Sequence, residues 1–66
     1  MTDITARAIA LAADAEIDKI RTGFRATLHG NGGAATIGYG DTADAARADL
    51  ASTIEFNLIH SGRAVV

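Results

Sequence analysis

The dipeptide Asn31-Gly32, set in the run His29-Gly30-Asn31-Gly32-Gly33 between two segments of alternating polarity, constrains this chain more than any other feature. Both residues tolerate the positive φ that a two-residue type I′ turn demands, so the pair predicts an antiparallel β-hairpin. Upstream, Ile20, Thr22, Phe24, Ala26 and Leu28 alternate with Arg21, Gly23, Arg25, Thr27 and His29, the period of a half-buried strand over about 20–29. Downstream, Ala35, Ile37 and Tyr39 alternate with Thr36 and Gly38, a second strand over about 34–40. With Asn31 and Gly32 as the loop, Leu28 faces Ala35, Ala26 faces Ile37 and Phe24 faces Tyr39, an apolar pair at every inward position. That register is the expectation, because a one-residue slip turns one strand inside out.

Helical spacing flanks the hairpin. From Asp3 to Ala15 there is no glycine or proline, Ile4, Ala8, Leu11 and Ala15 form one stripe, and Thr2 or Asp3 can cap the first amides. Asp14 to Ile20 either extends this helix or leads into a strand. After Gly40, Asp41 or Thr42 opens a second helix that runs to about His60, with Gly62 as its C-terminal cap. Ala43, Ala46, Leu50, Ile54 and Leu58 fall on the side that covers the hairpin; Ala45, Ala48, Ser52, Phe56 and Ile59 fall on the far side. A third strand over 53–60 is the competing assignment, since Ile54, Phe56 and Leu58 also alternate, and the helix is preferred. The expected fold is a single α+β domain over 1–66 with the order α-β-β-α.

A chain of 66 residues buries only about 60% of its unfolded surface, and with no cysteine it has neither disulfides nor a thiolate zinc site to compensate. Self-association remains as a source of stability. No stretch approaches the roughly 18 uncharged apolar residues of a membrane span, and no signal-peptide pattern is present, so the expectation is a cytoplasmic protein. A net charge of −2 argues against direct nucleic-acid binding, which depends on neutralising many phosphates.

The residues supply no catalytic constellation. Gly38-Tyr39-Gly40-Asp41-Thr42-Ala43 has dinucleotide-loop spacing, but its strand belongs to a hairpin and Asp41 places an anion where a pyrophosphate would sit. It reads as a strand end followed by a helix cap, although a small enzyme or ligand-binding domain using the Gly38–Gly40 turn is one alternative. Gly30 to Gly33 lacks the lysine and hydroxyl of a phosphate-binding loop, and His29 and His60 have no partner ligands in sequence. No metal and no cofactor are expected. The outward positions are more informative. Arg21, Arg25 and His29 form a basic ribbon, and Phe56 and Ile59 leave an apolar strip worth about 3 to 6 kcal/mol if fully buried. These five are the candidate partner-binding residues, and a homodimer through the strip or a hairpin edge is a possible assembly.

The segment Ala35 to Leu50 resembles the strand-to-helix segment of HicB-type antitoxins and related small phage proteins, with Gly40, Asp41, Thr42 and Ala46 matching a G-D-T-x-x-x-A pattern. In size and alanine-rich style the chain also resembles phage anti-CRISPR proteins. These resemblances imply a non-enzymatic protein-binding inhibitor or modulator of a larger nucleic-acid-acting complex. The alternative they imply is a HicB-like partial antitoxin or regulatory module lacking a DNA-binding segment.

Overall fold

Where apolar spacing is helical and caps are in place, helices form. The computed structural model describes residues 3–66, so Thr2 as a cap lies outside the described residues. Helix α1 spans Asp3–Ala13 and buries Ala8 and Ala12, with Ile4 and Leu11 packed against the core. It ends two residues before the expected Ala15, because the Asp14 and Ala15 amides bond three residues back, to Leu11 and Ala12, closing the last turn. Helix α2 spans Ala43–Ser61. Thr42 caps it, its hydroxyl accepting from the Ala45 amide at 3.0 Å, and Gly62 closes it in the left-handed region, donating to the Leu58 carbonyl. The segment 53–60 is therefore helix, as preferred, and not a strand.

The sheet holds a strand more than the hairpin. Strands β1 (Glu16–Ile20), β2 (Gly23–His29) and β3 (Ala35–Gly40) lie antiparallel in that order, giving α-β-β-β-α. The strand expected over 20–29 breaks at Arg21-Thr22, where Ile20 pairs with Gly23 across a two-residue turn. The alternation of Ile20, Thr22 and Phe24 runs in phase through that turn, which is why periodicity alone joined the two strands.

The β2–β3 register also corrects the expectation. Phe24 pairs with Gly40, Ala26 with Gly38, Leu28 with Thr36 and His29 with Ala35. The connection is a short 3₁₀ turn over Asn31–Gly33, in which Gly32 (φ 67°) and Gly33 (φ 82°) take the left-handed conformation and Asn31 does not. One more loop residue than a type I′ turn shifts β3 by one position and reverses its faces. Thr36 and Gly38 are buried against α2, while Ala35, Ile37 and Tyr39 face the open side.

The cause is how closely α2 lies on β3. A Cβ at Gly38 would collide with the Leu50 amide nitrogen and lie 2.6 Å from the Ala46 carbonyl oxygen, and one at Gly40 would lie 2.5 Å from the Ala46 nitrogen. Helix backbone occupies the space that side chains would need, so the small residues of β3 face inward. The core between the layers joins Ala8, Ala12, Ala15, Ala26 and Ala46 to Leu50, Ile54 and Leu58. Leu50 and Ile54 are its largest fully buried side chains. After Gly62 the chain folds back, and the Ala64 carbonyl accepts from Thr36 Oγ1 (3.0 Å) and Asn57 Nδ2 (2.9 Å). The result is a slab of 32 × 30 × 17 Å with a sheet on one broad face and helices on the other.

Candidate functional site

The open sheet face is built in cross-strand rows. The register aligns Asp18, Arg25 and Tyr39 in one row and Glu16, Thr27 and Ile37 in the next, with His29 beside Ala35. Thr27 is buried at the centre of this face by its neighbours, and Tyr39 stands 55% exposed. Arg25 Nη2 donates to Asp18 Oδ2 at 3.2 Å, and His29 Nε2 lies 3.0 Å from Glu16 Oε2. Both pairs are solvent-accessible, so each contributes at most about 1 kcal/mol to stability. The basic ribbon expected from β2 is therefore flanked by acids of β1, and the face carries mixed charge. Arg25 uses little of its donor capacity: the Asp18 bond takes one N–H, and its shielded Nε has no acceptor.

The edge of β3 is partly closed. The Gly30 amide bonds to the Ala34 carbonyl, so by the antiparallel alternation the amides of Ala35, Ile37 and Tyr39 point away from β2. Asp49 of α2 reaches around the edge and takes the Tyr39 amide at 2.9 Å. A carboxylate there opposes strand addition.

The opposite broad face is helical. Ala45, Ala48, Ser52, Phe56 and Ile59 are exposed along α2, with Phe56 60% and Ile59 59% accessible. The Phe56 and His60 rings pack with centroids 4.1 Å apart. Between the helices runs a shallow groove, about 270 Å³ at one end, bordered by Thr5 and Ile9 of α1 and by Ala48 and Ser52 of α2. Glu55 is turned onto Thr5, whose hydroxyl donates to its carboxylate.

The five sequence-predicted residues thus do not form one patch. Arg25 and His29 lie on the sheet face, Arg21 in the exposed β1–β2 turn, and Phe56 and Ile59 on the helical face across the slab. Tyr39 and Ile37, which sequence reasoning placed inward, join Arg25 on the sheet face. The signal that could have found them is the small size of Gly38 and Gly40, which marks the side of close backbone approach. Among the described residues no group of three His, Asp or Glu side chains is arranged to hold a metal ion, and no helix is long and apolar enough to cross a membrane. No protein-family model, curated protein or solved structure matches the chain.

Proposed function

We propose that the chain is a non-enzymatic protein-binding inhibitor or modulator that docks on its partner through the open sheet face. The observation that carries this reading is the row Asp18–Arg25–Tyr39 beside Ile37: an exposed aromatic ring and an under-used guanidinium held side by side on a rigid sheet. Tyrosine and arginine are enriched at the energetic centres of protein interfaces, because each combines a large apolar surface with donors that specify orientation. Glu16, His29 and Arg21 supply the polar rim.

The partner proposed is a larger nucleic-acid-acting protein or complex. The chain's net charge of −2, together with exposed Asp41, Asp44 and Asp49 around the start of α2, favours approach to a positively charged surface. Direct binding to nucleic acid is disfavoured by the same charge.

The test is affinity capture with two face-specific variants run in parallel. Arg25→Glu combined with Tyr39→Ala is expected to lower partner recovery at least tenfold while circular dichroism stays that of the parent, because both side chains lie outside the core. Phe56→Asp is expected to retain the partner. Retention by the sheet-face variant together with loss by Phe56→Asp would move the docking site to the helices and overturn the assignment.

A further inference from the structure

The exposed strip of α2 has an internal symmetry. Ser52 lies at its centre; four residues to either side stand Ala48 and Phe56, and seven to either side stand Ala45 and Ile59. All five are exposed on one side of the helix, the N-terminal half small and the C-terminal half large. A second α2 laid antiparallel, with a two-fold axis through Ser52, therefore sets Phe56 of each copy over Ala48 of the other and Ile59 over Ala45. Each large side chain meets a small one, twice, which is the self-complementarity an isologous contact requires.

Charge selects the same face. Two copies of a chain with net charge −2 repel wherever like-charged surfaces meet, and the sheet face and the start of α2 carry exposed carboxylates among their own residues. The strip Ala45, Ala48, Ser52, Phe56 and Ile59 carries none. Acids stand only at its borders, and each has a partner within its own chain: Glu55 is engaged by Thr5, Asp49 by the Tyr39 amide and Asp44 by Arg47. On the α1 side the groove adds Ile9, 48% exposed, which extends the apolar area beyond the single helix.

We propose that the protein forms a two-fold dimer through this helical face, with α2 antiparallel to α2 and Ser52 on the axis. The molecule leaves Ile9, Phe56 and Ile59 outside while fully burying only two large side chains, Leu50 and Ile54, so a second copy on this face covers apolar surface that the fold leaves open. In this dimer the two open sheet faces point outward, and the assembly is bivalent toward a partner. With only a few large side chains at the contact, the expected dissociation constant is on the order of micromolar.

The test uses the absence of cysteine. Facing Cα atoms on helices packed 8–10 Å apart come within about 4–5 Å, inside disulfide reach, so oxidised Ser52→Cys should run as a cross-linked dimer. Lys19→Cys, on the far edge of the sheet, should not. Light scattering of the parent chain at about 100 µM should give a mass near twice the 6.8 kDa monomer. Phe56→Ala and Ala48→Phe should each weaken the dimer at least tenfold, and the double variant should restore it, because the swap exchanges large and small across the same axis. All of these positions are exposed, and circular dichroism checks that α2 survives. A monomer mass for the parent, equal cross-linking of Ser52→Cys and Lys19→Cys, or a double variant no better than the singles would each overturn the proposal.

Discussion

The two broad faces of this slab are built from opposite materials. The sheet face presents Tyr39 and Ile37 among polar pairs, the Arg25–Asp18 ion pair and the His29–Glu16 contact. The helical face presents alanine, serine, Phe56 and Ile59 with no exposed acid in the α2 strip. Mixed charge around an aromatic centre suits a partner of different sequence, since each charge can be answered by its opposite. An uncharged strip with small residues in one half and large residues at the matching spacing in the other suits a second copy of itself. On the proposed dimer and docking face, a small domain with a thin core would gain stability from the second kind of surface and specificity from the first.

The largest expected effect breaks both faces together. Gly38 lies where α2 backbone touches β3, and its two nearest neighbours are backbone atoms of Leu50 and Ala46 that cannot rotate away. Gly38→Ala must therefore push the helical layer off the sheet. The expected loss is about 3 kcal/mol or more, enough to lower the melting temperature by roughly 15 °C in a domain of this size. Thermal unfolding followed by circular dichroism measures it. Parental stability in this variant would show that the layers are not in backbone contact at β3.

That same position explains what the sequence could and could not reveal. The helices were legible because their signals are local: the stripe Ala46, Leu50, Ile54 and Leu58, the Thr42 cap, and Gly62 beyond the last turn. The orientation of β3 was not. Ala35, Ile37 and Tyr39 form the more apolar set, and burial by side-chain hydrophobicity would turn them inward, but the space inside is filled by helix backbone. β1 was hidden because Arg21-Thr22 turns the chain without a glycine or asparagine in the two loop positions and without breaking the alternation. Of the candidate site, Arg25 and His29 were legible as outward-facing; their partners Asp18 and Glu16 sit on the strand that was not resolved as separate, so the ribbon read as basic. The return of the tail to Thr36 depends on the tertiary position of Asn57, for which no local pattern exists.

Asn57 supplies an intermediate test that should leave both faces in place. Its Nδ2 donates to the Ala64 carbonyl at 2.9 Å and lies 3.4 Å from Thr36 Oγ1, tying α2, β3 and the returning tail at one end of the slab. Asn57→Ala removes that tie. Because Thr36 still donates to Ala64, the expected cost is about 1 to 2 kcal/mol, read from chemical denaturation. Dimer mass and partner capture should both persist. A loss of either at temperatures where the variant is folded would mean that the tail, and not only the broad faces, takes part in association.

The smallest effect on stability is the sharpest test of what the sheet-face charges are for. Asp18 and Arg25 are paired at 3.2 Å with side chains 39% and 40% exposed, so water screens most of their attraction. Asp18→Asn keeps the shape and a hydrogen-bond acceptor while removing the charge, and the expected change in stability is about 0.5 kcal/mol or less. Binding should respond more, because Arg25 freed from its carboxylate is available to an acid on the partner, whereas the same guanidinium held by Asp18 must first exchange one ion pair for another. The expectation is a change in partner affinity of several-fold that shrinks as salt is raised, with dimer mass unaltered. Isothermal titration at two salt concentrations measures it. Were affinity to stay constant at both, Arg25 would belong to the scaffold of the sheet and the recognition would rest on Tyr39 and Ile37 alone.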